Sequence, residues 1–455
     1  MRSVRPLMPC PSQAPNSPPN SSACSCDIAR GRLAKIWRCN STPGLRACLS
    51  RNPAYSAAGL RNWANGWCWP ASSPVKEAKM QLRLETMDAR LAGASQASAQ
   101  TRMQLVLEPL DVWLFRDGRP FDAGSDHHAR CLFPPYPSVI QGAIRSHELV
   151  LRGVNLRDPA AVAAAVGTAE EYGCLRLCGP FLARSDAGVL TRYFPVPADA
   201  VVGQDGRAEM LSLRQGQEGV VSSIGERLPR LFFNPGEAGK PGRGRWVAEN
   251  DLLALLAGNT VRALPDRCLF EYEERLGIGR EDSIRSSKSE LLYEAQYVRP
   301  ARDVGLWLEM QGYSKWPREG IMRIGAEGHG AFFRTVAPRP WPGLDLSGPL
   351  PPRFKLYFAA PAYFSEGWQP ESWAFAFAGS VTLEAVALSG YETIGGFDWA
   401  AGRQKASRRF VPAGSVYYFR SDSAVRLQPS LVNQAVTQWG GEIGFGRVIA
   451  AEWRG

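Results

Sequence analysis

The first apolar run dense enough to make a strand begins at Met103. Leu105, Val106 and Leu107 lead into Leu110, Val112 and Leu114, alternating around Pro109, the period of a pleated strand. A turn is expected at Asp117-Gly118, followed by the Pro-rich Phe133-Pro134-Pro135-Tyr136-Pro137. Ser138 and Gln141 have capping-box spacing, so the pattern predicts a helix from Val139. Ile140, Ala143, Ile144, His147 and Leu151 would share its apolar face, with Arg145, Glu148 and Arg152 opposite. A second unit repeats the plan. Phe354, Leu356 and Phe358 alternate along a strand, and Leu431, Val432, Ala435, Val436 and Trp439 have helical spacing behind Ser430. Each unit ends in a glycine-rich loop feeding a last strand: Gly325–Gly330 before Ala331-Phe332-Phe333, and Gly440–Gly446 before Val448-Ile449-Ala450-Ala451. Internal duplication is the economical explanation.

This pattern predicts an α+β protein with two ferredoxin-like (RRM-like) domains, glycine-rich loops and one long insertion. The expected boundaries are 103–340 and 350–455, with the insertion at about 198–250, where glycine and charge dominate and mobile loops are expected. Residues 1–79 show Pro, Ser and Asn without either period, so 1–102 is expected to be a disordered tail or an upstream start, with Met80, Met87 and Met103 as alternative beginnings. No run of 18 apolar residues is present, so no membrane partner is expected. The N-terminus has no apolar signal-peptide core, and cytoplasm is the expected location.

Charge changes the picture once it is located. The formal net charge is +10, and 1–102 carries all of it, with 14 Lys/Arg against 4 Asp/Glu. The remainder holds 39 of each sign, so any basic surface there must be local. Cys10, Cys24, Cys26, Cys39, Cys48 and Cys68 precede Cys131, Cys174, Cys178 and Cys268 without a CxxC pair. That spacing predicts reduced thiols and neither metal nor cofactor.

Three stretches can carry chemistry. Arg116, Arg119, His127, His128 and Arg130 surround a turn ahead of the expected helix, which also carries Arg145. Such a place suits an anion, or is a solvated loop with incidental ion pairs. The glycines Gly325, Gly328, Gly330, Gly444 and Gly446 would admit a phosphate to the backbone, or simply make tight loops. After Gly395-Gly396, cations Arg403, Lys405, Arg408 and Arg409 interleave with Phe397, Trp399 and Phe410. That suits single-stranded RNA, or is a charged hairpin. Lys240–Trp246 has similar chemistry. Histidine-based RNA cleavage is the rival enzyme reading. His147 on the apolar face reads as core, while His127, His128 and His329 fall in loops without a spacing that marks a nuclease.

Phe115-Arg116-Asp117-Gly118-Arg119-Pro120-Phe121, Phe133-Pro134-Pro135 and Gly142-Ala143-Ile144-Arg145 resemble the N-terminal signature of the RAMP superfamily subunit three of the Cmr module, from type III-B CRISPR systems. Glu274-Arg275-Leu276-Gly277-Ile278, Leu291-Leu292-Tyr293, Gly305-Leu306-Trp307, Gly395-Gly396-Phe397 and Val411–Tyr417 extend the likeness over 103–455. The resemblance implies a non-catalytic subunit of an RNA-targeting antiviral complex that grips the repeat-derived 5′ handle of the crRNA. Its implied protein partners are the large palm-domain (polymerase/cyclase-like) subunit and the first backbone RAMP subunit. Arg116, Arg119, Arg145 and His128, the two glycine loops, and Arg403, Lys405, Arg408 and Arg409 are then the expected RNA contacts. A metal-independent RAMP endoribonuclease and the handle-binding subunit of a type III-A complex are the alternatives.

Overall fold

The computed structural model describes residues 102–118, 128–215, 228–234, 239–281, 286–398 and 402–454, all within one compact unit, Gln96–Gly455. Residues 1–101 of the expected tail, Arg119, His127 and Trp399 lie outside the described residues. In chain order the main elements are β1 (Met103–Pro109), helices α1 (Pro137–Leu151) and α2 (Pro159–Val166), and strands β2 (Arg176–Asp186), β3 (Val189–Pro195) and β4 (Arg245–Ala248). There follow α3 (Glu249–Leu256), β5 (Leu264–Pro265), β6 (Phe270–Glu281), β7 (Ser286–Pro300), β8 (Val304–Gln311), β9 (Glu319–Arg323) and β10 (Gly330–Val336). The last are β11 (Arg353–Phe358), β12 (Thr382–Ala387), β13 (Val416–Arg420) and β14 (Val448–Glu452). The fold is mixed and strand-rich, with three α-helices among the described residues.

The large sheet runs β5-β4-β3-β2-β8-β1-β10-β9, and a second sheet runs β12-β13-β11-β14. Inside the first, β2-β8-β1-β10 has the spatial order second-third-first-fourth, and the whole second sheet has that order too. Every neighbouring pair in both quartets is antiparallel.

Sidedness explains the apolar runs. Leu105 and Leu107 of β1 pack with Ile140 and Ile144 of α1, whereas Val106 points the other way, into a core with Phe181, Trp307, Tyr357 and Ile449. A strand covered on both faces loses the simple alternation of a half-solvated one. In β11, Phe354, Leu356 and Phe358 face a third core, and Tyr357 faces the shared one. The two sheets are thus joined face to face through one apolar layer. Lys355 also points into that layer at 4% exposure. Its Nζ lies 3.4 Å from the Tyr418 hydroxyl, which donates to the fully buried Asp199 at 2.6 Å. Burial raises the Asp199 carboxyl and lowers the Lys355 ammonium, each opposed by the other's charge.

Several expectations need correction. α1 starts at Pro137, behind Tyr136, with no side-chain cap. Proline preset at the first helical position moves the start and leaves Ser138 inside the first turn, so no capping box forms. The buried face is Ile140, Gln141, Ile144, Glu148 and Leu149, while Leu151 is exposed. Glu148 is tolerated there because Arg152, one turn on, pairs with it. No α-helix follows Ser430, only a 3-10 turn at Val432–Gln434. Asn433 is left-handed (φ 54°), and Ala435 bridges to Arg447 as extended chain. An aromatic segment with a 3-10 turn at Trp373–Phe375 and a short strand at Phe377–Ala378 covers the outer face of the second sheet instead, with Trp373 at 4.9 Å and Phe377 at 5.1 Å from the Phe419 ring. Within 198–250, expected to be loops, the described residues form strands at Ala200–Val202, Arg207–Met210, Ser212–Gln215, Arg230–Phe233 and Lys240–Pro241, besides β4. Ala200, Val202 and Ala208 are buried there, too few apolar positions per strand for a period to show.

Candidate nucleic-acid interface

The strand Glu392–Ile394 pairs with Arg408–Phe410, and Phe397–Asp398 pairs with Arg403–Gln404, so the Gly395-Gly396 region is one long hairpin. Its root is apolar. Ile394 and Phe410 are buried with Tyr172, Ile443 and Phe445, and Tyr136, Tyr363 and Trp439 pack around them. The Phe410 ring lies 4.9 Å from Phe445. Strand alternation then sorts the cations. Phe410 points in and Arg409 points out, its guanidinium 4.9 Å from the Tyr391 ring. Arg408 is half-buried over Trp439 at 4.9 Å and Tyr363 at 5.9 Å. Arg403 and Lys405 are exposed beyond the root. Cations fixed beside aromatic faces offer charge to a phosphate and a surface to a base.

Gly440–Gly446 is the wedge beneath this hairpin. Gly444 and Gly446 are buried, so neither presents its backbone to RNA, contrary to the expectation. Gly444 has φ +112°, and a Cβ there would stand 2.4 Å from the Gly179 carbonyl oxygen. Glycine is required for backbone to touch backbone.

Arg116 lies on a second ribbon, bridged to Cys131, with Leu132 N–H donating to Phe115 O at 2.8 Å and Asp117 N–H to Arg130 O at 3.2 Å. Arg116 and Arg130 are both exposed. Phe115 and Phe133 stack at 6.1 Å beneath them, so these two aromatic residues of that sequence signature are core. The ribbon and the hairpin meet at α1. Tyr136, just before the helix, lies beside Glu392 of the hairpin and in the field of Asp117. Burial raises the Tyr136 phenol, with Glu392 adding to the shift, and burial raises the Glu392 carboxyl too.

Arg145 has a structural task. Its guanidinium donates to Gly167 O at 2.8 Å and Thr168 O at 2.9 Å and stands 5.9 Å from the Tyr172 ring. Burial lowers its pKa, with Asp398 of the hairpin among the charges opposing that shift. The Gly325–Gly330 loop is likewise committed. Ala326 N–H donates to Leu114 O at 2.8 Å, and Leu110 N–H donates to Gly330 O at 3.2 Å. A Cβ at Gly325 would lie 2.5 Å from Leu114 O. Gly325 and Gly328 are exposed, but the loop's charged residue is Glu327, which accepts from Tyr297 at 2.7 Å. A carboxylate makes this loop a poor phosphate cradle.

His128 pairs with Glu294 at 2.9 Å. His329 packs edge-on to Tyr297 at 5.5 Å and lies 3.6 Å from Glu327. Residues 294 and 297 of β7 are three apart and therefore face opposite sides of the ribbon. His147 packs edge-on to Trp316 at 5.1 Å and Phe333 at 5.4 Å, and burial lowers its pKa. In the Lys240–Trp246 stretch, Trp246 is buried and donates to Asp266 at 2.7 Å, and Arg243 donates to Ser389 O. No cluster able to hold a metal occurs among the described residues. Tyr136, Tyr391 and Trp439 support the hairpin and its cations without a signal in the sequence beyond an aromatic beside a glycine loop, and Trp439, expected on a helix face, lies in a bend.

The family model described as CRISPR-associated protein (Cas_Cmr3) matches residues 105–453. The chain belongs to that family. The match runs from β1 to β14 and includes both sheets and the hairpin between β12 and β13. No curated protein matches the chain. Among solved structures, it is similar to a chain of the type III-B Cmr-beta complex bound to cognate target RNA and AMPPnP, at 14% identity and TM-score 0.43, covering 77% of this chain and 99% of that one. A chain of the same complex with target RNA alone gives 14% and 0.40 over the same shares. A chain of the Csm3-Csm4 subcomplex from a type III-A interference complex gives 9% and 0.29, covering 72% of this chain and 100% of that one. No helix among the described residues is long and apolar enough to cross a membrane.

Proposed function

We propose that this Cas_Cmr3-family chain is a non-catalytic subunit of a type III-B RNA-targeting effector complex, working in the cytoplasm. In this reading it binds the 5′ handle of the crRNA and docks on the palm-domain subunit and a backbone RAMP subunit. The observation that carries it is the hairpin 392–410: exposed Arg403, Lys405 and Arg409 on an aromatic root, beside the ribbon bearing Arg116. A short unpaired RNA needs that combination of backbone charge and stacking surface. The repeated strand order supports two ferredoxin-like domains, the first with its crossover made by α1 and the second with the aromatic segment around Trp373–Phe377 in that place.

Nuclease chemistry is disfavoured by geometry. His128 and His329 lie on opposite faces of one ribbon, each against a carboxylate, and His147 packs against Trp316 and Phe333, so no two of the three described histidines can act on one phosphodiester as acid and base.

The test uses the assembled complex and a labelled RNA carrying the repeat-derived tag. Reversing Arg403, Lys405 and Arg409 to Glu is expected to weaken handle binding by at least about tenfold while assembly persists. Unchanged affinity would refute the reading, as would EDTA-resistant cleavage of repeat RNA abolished by His128→Gln or His329→Gln.

A further inference from the structure

A cleft outside this interface opens where β1, β2 and β8 meet the 337–341 linker and the chain entering β14. Its two adjoining lobes, about 240 and 290 Å³, share Arg102, Cys178, Glu309 and Arg447. Arg192, Arg339, Trp307 and Trp341 help line the smaller lobe. Four arginines therefore converge on a lining with a single carboxylate. Glu309 is taken by Arg102 at 3.3 Å, and Arg192 pairs with Glu249 behind the lining. Arg339 and Arg447 have no carboxylate partner among the described residues.

Two guanidiniums are preset. Arg192 is fully buried, 4.7 Å from Trp307 and 5.3 Å from Trp341, and donates to Pro340 O at 2.7 Å. Arg447 stands 4.5 Å from the same Trp341 ring and donates to Asn433 O. Trp341 itself is pinned, its indole N–H donating to Val448 O at 2.7 Å. Yet Nη1 of Arg192 and Nε of Arg447 are buried without a hydrogen-bond partner. A cationic donor left unpaired inside a protein is costly and marks a place for an acceptor. Water could accept those hydrogen bonds but would leave the surplus charge. A tetrahedral phosphate, singly charged in an RNA backbone and close to doubly charged as a free monoester, answers both needs, because its oxygens accept from planar forks at several angles. At roughly 30 Å³ per water, either lobe has room for a phosphate with its hydration.

We propose that this cleft binds a phosphate group, presented either by the RNA backbone or by a free nucleotide. The proposal rests on the RNA-binding reading only for the first source. Trp341, held against Arg447, makes a fluorescence reporter. The full chain is titrated with inorganic phosphate, with AMP and with an unstructured octanucleotide RNA. The variants are Arg339→Gln, whose side chain has no partner among the described residues, and the double Arg339→Gln/Arg447→Gln, with Arg447→Lys as the charge-retaining control. Phosphate affinity is expected to fall several-fold in the single variant and at least about tenfold in the double, with partial recovery in the control. RNA displacing phosphate assigns the backbone as source. AMP displacing it while RNA does not assigns a free nucleotide. No phosphate binding to the parent protein, or equal binding to Arg339→Gln and the parent, overturns the proposal. So does a signal reproduced by chloride alone, or an acidic peptide that displaces phosphate when neither RNA nor AMP does. Loss of handle binding in the hairpin reversal leaves this outcome untouched, so the two readings fail separately.

Discussion

The two glycine loops look alike in sequence and behave oppositely in the fold. Gly440–Gly446 is buried against Gly179 and the start of α1, and carries Phe445 into the root of a cationic hairpin. Gly325–Gly330 sits at the surface on the Leu110–Leu114 segment and offers a carboxylate, Glu327, to Tyr297. In both, glycine is needed because one backbone touches another. What differs is the cargo: aromatic support for cations in one, a negative charge in the other. A glycine-rich loop therefore says that chains approach closely, and the neighbouring side chains decide whether an anion is welcome.

The most severe way to break this comparison is Gly444→Val. A side chain at φ +112° facing a carbonyl oxygen at 2.4 Å should destabilise by roughly 4 kcal/mol, read from urea unfolding. The hairpin should lose its RNA affinity in parallel, because Phe445 would no longer support Phe410. Next, neutralising Arg403, Lys405 and Arg409 to Gln should flatten the log–log salt dependence of RNA binding by about 2, at roughly 0.7 per phosphate contact. Stability should change by less than about 0.5 kcal/mol. An unchanged slope would mean that these cations face protein.

Smaller effects sharpen the other side. Glu327→Gln should cost no more than about 1 kcal/mol and leave RNA affinity as it was. Tighter RNA binding in that variant would show that the Gly325 loop does approach nucleic acid. Finally, burial holds His147 below its usual 6.5, so the unfolded chain takes up the proton first as pH falls. The stability of the neutral form is complete above about 6.5 and is lost on going lower. His147→Phe should reduce the drop in urea midpoint between pH 7 and 5, and an unaltered drop would remove His147 from the core.

The strands around Leu105–Leu107 and Phe354–Phe358 were legible because apolar density survives whichever face is covered. The helix beginning near Pro137 was legible too, although its start was misjudged: a capping box can be written in residues that tertiary packing never uses. The missing helix after Ser430 has a clear cause. Leu431, Val432, Ala435 and Val436 have helical spacing, yet Asn433 turns left-handed and donates its side-chain amide to Leu177 O at 2.9 Å, a contact across 256 positions that no local window contains. At the site, the cation–aromatic hairpin could be read from composition. Arg145 could not, since its partners are carbonyls in a turn 22 residues away. The arginine cleft was invisible because Arg102, Arg192, Arg339 and Arg447 share no motif and meet only after two sheets close on each other.

Lys355, Tyr418 and Asp199 place three polar groups in the dry seam between those sheets. A fragment starting near residue 345 would bring its strand without Asp199, leaving an ammonium with no counter-charge in an apolar face. The halves should therefore refuse separate expression and melt in one step.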